Sequence, residues 1–255
     1  MSKFPLSVVI ITFNEEENIG RTLESIAENA SEIIIVDSGS LDKTIRIAEK
    51  FGAKIFSEEW KGYIQQKNSA LEKCNEEWIL SLDADEVVSN DLKNAIEKQL
   101  KNPDADGYII KRKTHYLGKL LNHAWQPDWK LRLVKKSSLP KWQGTVVHES
   151  LSISGTTKKI DGCLIHYSYK DIKHHYNKTI EYAKQSAQSY FDKGKKFHFL
   201  NLLFNPPIAF MRLYIINLGF LDGFRGFLAG FSSYVYTFLK YVFLWELWNK
   251  NKLGN

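Results

Sequence analysis

Short apolar runs of strand length alternate with amphipathic stretches through the first 85 residues. Ser7-Val8-Val9-Ile10-Ile11-Thr12 is continuous and β-branched, which predicts a strand covered on both faces. Ile33 to Val36, Lys54-Ile55-Phe56 and Ile79 to Leu82 predict three more strands. Between them Ile19, Leu23, Ile26 and Ala27 recur at the spacing of one helix face, Ala48 and Phe51 mark a second helix, and Ile64 to Leu71 a third. Strand and helix alternating at this cadence predict an α/β fold, a mostly parallel sheet flanked by helices and joined by right-handed crossovers.

Polar residues collect where three of these strands end: Thr12-Phe13-Asn14-Glu15, Asp37-Ser38 and Asp83-Ala84-Asp85. In a parallel sheet those ends share one edge, and ligands gather beyond it. Two aspartates one residue apart in a turn can face a single divalent cation, and hard oxygen ligands suit Mg²⁺ or Mn²⁺ shared with substrate phosphates. A solvated turn is the plain alternative, since Asp is common in loops. The first strand is followed neither by the Gly-x-Gly-x-x-Gly of a dinucleotide-binding turn nor by a Gly-Lys-Ser/Thr phosphate loop. The crevice is acidic where those folds are glycine-rich, so phosphate there has to be held through a metal.

Val8 to Glu15, Ile33 to Ser40 and Leu82 to Glu86 together resemble the family 2 glycosyltransferases, inverting enzymes with the GT-A fold, over roughly residues 5–150. Trp60-Lys61-Gly62-Tyr63, Gln66-Lys67-Asn68 and the segment from Trp125 to Leu133 resemble, more narrowly, the bacterial lipopolysaccharide core β-1,4-glucosyltransferases. The resemblance implies that Thr12, Asn14 and Glu15 contact the base and ribose of a nucleotide, and that Asp37 accepts hydrogen bonds from uracil or ribose. It implies that Gln66 and Asn68 border the nucleotide while Lys67 approaches the diphosphate. Asp83 is expected at the ribose or the metal's water shell, and Asp85 on the metal, which neutralises the leaving nucleoside diphosphate.

An inverting transfer also needs a base for the acceptor hydroxyl. Glu149, in Trp142-Gln143-Gly144-Thr145-Val146-Val147-His148-Glu149, is the first candidate and Asp128, in Trp125-Gln126-Pro127-Asp128-Trp129, the second. His148 and His166 invite a metal-ligand reading, though a single His more often supports a neighbour. His148 is kept as an acceptor-site residue, and the pair His174-His175 is expected on the surface. Trp125, Trp129 and Trp142 suit stacking on sugar rings, or equally an ordinary core. Lys111, Arg112, Lys113, Lys130, Arg132, Lys135 and Lys136 would welcome an acidic or phosphorylated acceptor; a solvated rim is the alternative.

Composition shifts near residue 170. Residues 1–169 are expected to form the catalytic domain and 170–255 a helical, membrane-associating region. Asp171 to Lys196 predicts an amphipathic helix with Ile172, Tyr176, Ile180, Ala183 and Ala187 on one face. Phe197 to Trp248 is crowded with Phe, Leu, Tyr and Ile. Ile208 to Leu221 is short for a span and contains Arg212, whereas Gly226 to Trp245 carries Lys240, two serines and two glycines. Helices lying in the headgroup plane fit better, with a helical subdomain buried against the protein or a second copy as the alternative. Gly219, Gly223, Gly226 and Gly230 allow close turns or close helix contacts.

The balance of 35 basic against 29 acidic residues favours an anionic membrane surface as partner, with no nucleic acid implied. Two cysteines, Cys74 and Cys163, indicate neither a zinc site nor a disulfide framework and suit a reducing compartment. Without a secretory signal pattern at the N-terminus, the expected location is cytoplasmic, at the inner face of a bacterial inner membrane. The leading reading is a metal-dependent transfer of a sugar, glucose for preference, from a UDP-sugar to a membrane glycolipid such as the lipopolysaccharide inner core. A polyprenyl-phosphate sugar synthase shares the fold and differs in its acceptor. A sugar-1-phosphate nucleotidyltransferase would need a Gly-rich loop that Phe13 to Asn18 lacks. A non-catalytic membrane adaptor would have kept the fold and lost the chemistry.

Overall fold

The computed structural model describes residues 3–145 and 148–253 and divides into two compact units. One is built from the chain up to Lys113 together with Asp128–Tyr167, the other from Thr114–Pro127 together with Ser168 onwards.

The first unit opens with β1 (Phe4–Thr12), α1 (Ile19–Glu24), β2 (Ala30–Asp37), α2 (Thr44–Glu49), β3 (Lys54–Ser57), α3 (Tyr63–Glu72) and β4 (Trp78–Asp83). It continues with β5 (Glu86–Val88), α4 (Asn90–Lys101), β6 (Gly107–Tyr116), whose last residues belong with the short β7 (Lys119–Leu120) paired to them in the second unit, and β8 (Trp129–Lys135). β9 (Lys141–Thr145), β10 (His148–Ser152) and β11 (Thr157–His166) complete the strands. The main sheet runs β3-β2-β1-β4-β8-β6-β11-β5, and β9 and β10 form a separate hairpin. β3, β2, β1 and β4 are mutually parallel, as their apolar runs predict. Beyond β4 the sheet turns antiparallel, at β4–β8, β8–β6 and β11–β5, so the whole is mixed.

Burial on both faces follows from the alternation of the strands. Val8, Ile10, Ile33, Ile35, Leu80 and Leu82 enter one core; Val9, Ile34, Val36 and Ile79 enter the other. Register aligns Thr12 with Asp37 and Ile11 with Asp83, which sets the polar strand ends along one edge. α1 and α2 are only six residues each. Ile26 and Phe51 follow them in turns, yet both pack into the same core.

The second unit holds α5 (Ile172–Asp192), α6 (Phe199–Met211) and α7 (Phe224–Leu253). α6 runs on as a wider turn through Arg212–Ile216, and a tight turn at Gly219–Asp222 leads into α7. α5 stops at Asp192, four residues short of the expected end, and its buried face is rotated from the expected one. His175, Thr179, Ala183, Ser186 and Ala187 are buried, whereas Ile172 and Ile180 are exposed. His175 is therefore not on the surface. Its Nδ1 lies 2.8 Å from the Tyr116 hydroxyl, inside a ring of Tyr116, Trp125 and Tyr169, and burial together with His174 pushes its pKa down to about 4.

The Asp222 carboxylate accepts backbone N–H bonds from Asn122, His123 and Ala124 at 2.8–2.9 Å, and Arg225 Nε donates to the Leu117 carbonyl. These contacts tie segment 114–127 to the α6–α7 turn. That turn closes because Gly226 abuts Gly219: a Cβ on Gly226 would lie 1.7 Å from the Gly219 carbonyl oxygen. Backbone cannot yield there as a flexible side chain would. Gly226→Ala is expected to destabilise this unit by about 3 kcal/mol or more, checked by thermal or urea unfolding. A melting point equal to wild type would show that the turn is not packed as described.

Candidate active site

The strand-end edge is built by loops that hydrogen-bond one another. Asn14 adopts a left-handed backbone (φ 54°), a conformation Asn tolerates. Its Oδ1 accepts from Leu41 N, and its own N–H donates to Ser40 Oγ. Glu15 N–H donates to Thr44 Oγ1, and Glu15 Oε2 accepts from Asn18 Nδ2. Asp37 is buried, and its two oxygens accept from Thr12 Oγ1, Ser40 Oγ, Gly39 N and Ser40 N at 2.5–2.9 Å. Thr12 and Asp37 thus fix the shape of the β1 and β2 loops, and the carboxylate of Asp37 is already saturated by its own surroundings.

At the end of β4 lies a buried charge network. Asp83 Oδ2 accepts from Arg132 Nη2 at 2.6 Å, and Asp83 Oδ1 from Lys67 Nζ at 2.8 Å. Lys67 Nζ also donates to Glu149 Oε1 at 2.5 Å and sits 4.3 Å over the Trp142 ring. Glu86, fully buried, accepts from Arg132 Nη2 at 2.8 Å and Arg112 Nη1 at 3.1 Å, and its other oxygen caps the Asp83 N–H at 3.0 Å. Burial alone would raise the pKa of Asp83; Arg132, then Lys67 and Arg112, outweigh it and hold the carboxyl well below the usual range. The same pairing holds the Arg132 guanidinium above its ordinary value despite burial.

Arg132, read from the sequence as part of an acceptor rim, is 2% exposed and its charge is taken up by Asp83 and Glu86. Trp142 is equally enclosed, with Lys67 and Arg132 at its ring, so it packs the network and offers no open face for a sugar. Asn68 holds it there: Nδ2 donates to the Trp142 carbonyl and Oδ1 accepts from its N–H. Trp129 is partly exposed beneath Lys159 Nζ at 4.5 Å, while Trp125 belongs to the second unit. The His148 side chain lies outside the described residues.

Asp128 is bound by Arg112 Nε at 2.7 Å and Lys130 Nζ at 3.1 Å. Burial would raise its pKa, but Arg112 and Lys130 prevail and lower it. Glu149 differs: Oε1 meets Lys67, while Oε2 is buried without a hydrogen-bond partner. Gln66 is fully buried with both amide atoms unpartnered, as are Trp142 Nε1 and two nitrogens of Arg132. Unpaired buried polar atoms are costly. Those of Arg132, Trp142 and Glu149 belong to one cluster joined by Lys67 and the Trp142 ring.

Asp85 Oδ2 lies 3.3 Å from His166 Nε2, because β11 pairs with β5 so that His166 faces Glu86. Carboxylate oxygen with imidazole nitrogen is a donor set that suits Mn²⁺, and Mg²⁺ less well. Among the described residues no group of three or more His, Cys, Asp or Glu converges at metal-binding distance. An ion held by Asp85 and His166 would complete its shell with substrate phosphate and water, the usual arrangement for such cations. From the sequence, Glu86 has no role, Arg112 belongs among the basic residues of an acceptor rim, and His166 is a metal ligand without a partner; the structure sets His166 beside Asp85 and Arg112 on Glu86 and Asp128. The signal that would have found them is the antiparallel order of β8, β6, β11 and β5.

The profile of glycosyl transferase family 2 matches residues 7–165. An uncharacterized glycosyltransferase of Rickettsia typhi is 32% identical over 233 residues, 87% of this chain and 80% of the relative. The lipopolysaccharide core biosynthesis glycosyltransferase LpsC of Rhizobium meliloti is 31% identical over 227 residues, 84% of this chain and 82% of the relative. Among solved structures, a mannosyltransferase of Pyrobaculum calidifontis in complex with GDP-Man and Mn²⁺ shares the fold. Its TM-score is 0.54 at 16% identity, covering 98% of this chain and 89% of that one.

Proposed function

The chain belongs to glycosyltransferase family 2, and from that premise we propose that it moves a sugar, glucose for preference, from a UDP-sugar to a membrane glycolipid of the lipopolysaccharide core type. The observation that carries the reading is the Lys67 bridge, which joins the strand-end Asp83 to Glu149 beside unpartnered Arg132 and Trp142 atoms. The likeness to LpsC supports the acceptor class and a cytoplasmic location near the membrane.

In this mechanism the nucleotide lies across the edge formed by Thr12, Asn14, Glu15 and the Asp37 loop, with Gln66 at the sugar or diphosphate. Asp85 and His166 are the residues that would hold a divalent cation, and such an ion would supply positive charge for the departing diphosphate. Glu149 Oε2 takes the proton of the acceptor hydroxyl as that oxygen attacks the anomeric carbon from the face opposite the leaving group. Lys67, donating to Oε1, keeps Glu149 oriented for that step. Arg132, Arg112 and Glu86 hold Asp83 in place and keep its charge compensated.

The test is thermal stability with UDP, UDP-glucose, GDP and CDP, each with Mn²⁺ or EDTA, for wild type and Asp85→Asn. A ligand at 100 times its dissociation constant adds about 2.7 kcal/mol, a visible shift. The expected result is a UDP-selective shift that needs Mn²⁺ and disappears in Asp85→Asn. No shift with any nucleotide would remove the transferase reading and leave a fold without its chemistry.

A further inference from the structure

Residues 193–255 contain eight Lys and Arg against two acidic residues, an excess of six that equals the net charge of the whole chain, +6. The remainder of the protein is therefore electrically balanced, and the positive charge is concentrated where the apolar surface is. Lys193, Lys195, Lys196 and His198 are exposed and lead directly into α6.

The outer face of α6 is apolar and open. Leu200, Leu203, Phe204, Ile208, Met211 and Ile215 are all exposed, at helical spacing, and only 11% of the Phe199–Ile216 stretch is buried. α7 adds a ladder of nearly parallel rings, Phe224, Phe227, Phe231, Tyr234 and Phe238, with interplanar angles of 1–16°. Pro207, Phe210 and Met211 line a shallow groove with the middle three of these rings, so the two helices present one apolar surface. Contiguous apolar surface of this kind marks an interaction site.

Both stretches are long and apolar enough to cross a membrane. Two observations exclude crossing. Arg212 is exposed within the α6 face, and a span would carry its charge into the hydrocarbon core. More decisively, the turn at Asp222 is hydrogen-bonded to residues 122–124. Segment 114–127 is flanked on both sides by strands β6 and β8, so its 14 residues must go out and back. That allows a reach of about 25 Å at full extension, and the turn cannot stand on the far side of a bilayer.

We propose that the α6–α7 hairpin lies flat in one leaflet of an anionic bilayer. The apolar faces of both helices enter the acyl boundary, Arg212 extends to the phosphates, and the Lys193–Lys196 run engages anionic headgroups. Helices with Phe and Leu on one side and Lys or Arg at the margin bind in this way. The surface would hold the catalytic unit at the layer that contains a glycolipid acceptor, but the inference stands on charge and exposure and does not depend on the donor.

The test is co-sedimentation of the full-length protein with phosphatidylcholine vesicles and with vesicles enriched in phosphatidylglycerol, without any turnover assay. Binding to the anionic vesicles is expected to be stronger by about tenfold or more and to weaken with salt, at about 1 kcal/mol per basic residue near the surface. The pair Lys193→Gln and Lys196→Gln should lose about 30-fold on anionic vesicles only. The pair Leu203→Ser and Phe204→Ser should lose binding to both compositions, with an unchanged melting point because both side chains are exposed. Carbonate extraction at high pH should release the protein from membranes. Resistance to extraction would mean a span and overturn the proposal. Absence of vesicle binding, together with a dimer that the Leu203 and Phe204 changes dissociate, would assign the face to a second copy of the chain instead.

Discussion

Replacing Arg132 by methionine is expected to cost the fold about 3–5 kcal/mol, because the change leaves buried carboxylates without their cation. Arg132 is 2% exposed and Glu86 fully buried, so water cannot take the place of the guanidinium. Arg112 remains at 3.1 Å from Glu86 and Lys67 at 2.8 Å from Asp83, which keeps the loss below that of two isolated charges. Equilibrium urea unfolding reads the effect as a lower midpoint at unchanged slope. The pH dependence has a definite sign. Asp83 in the folded protein holds its carboxyl well below the unfolded value, so its stabilisation is present above about pH 4 and is lost as pH falls through the folded pKa. The difference between wild type and Arg132→Met should therefore narrow in acid. Adding Asp83→Asn to Arg132→Met should cost much less than Asp83→Asn alone, since the partners are one network. Additive costs would mean that the two residues are not coupled.

The parallel half of the sheet was legible in the sequence because its strands are buried on both faces. β1, β2 and β4 are continuous apolar runs with few other structural readings. The polar clusters at Thr12, Asp37 and Asp83 were legible for the same reason, since strands that run parallel end together. What the sequence did not disclose were the partners of those carboxylates. Arg132 meets Asp83 because β8 pairs antiparallel with β4, aligning Leu133 with Leu80, and nothing local to either segment announces that pairing. His166 reaches Asp85 through the pairing of β11 with β5, which spans almost 80 residues of chain. The α5 face was misjudged for a different reason. Hydropathy weighs Ile172 and Ile180 above His175 and Thr179, yet α5 packs closely on α7, where the small Ala183, Ser186 and Ala187 fit, and Tyr116 supplies a hydrogen bond to His175.

Glu149→Gln is expected to lower kcat by about 10²–10⁴-fold while leaving the nucleotide-dependent melting shift in place. Glutamine keeps the size of the side chain and an oxygen that can accept from Lys67, so the pocket should persist while the capacity to take a proton is gone. Asp128→Asn is the discriminating comparison. Arg112 and Lys130 already hold Asp128 below the usual carboxylate range, which makes it a weak base, and its removal should chiefly loosen the β6–β8 edge. Glu149 has the better disposition: one oxygen is fixed by Lys67, and the other is buried without a partner. Lys67 should therefore act through Glu149. Lys67→Met is expected to lower kcat while leaving the nucleotide-dependent melting shift in place, because Glu149 Oε1 loses the donor that orients it, and Lys67→Arg, which keeps a donor, should restore part of the rate. If Asp128→Asn abolishes transfer while Glu149→Gln retains it, the base is Asp128 and the Lys67 bridge serves only to hold Asp83.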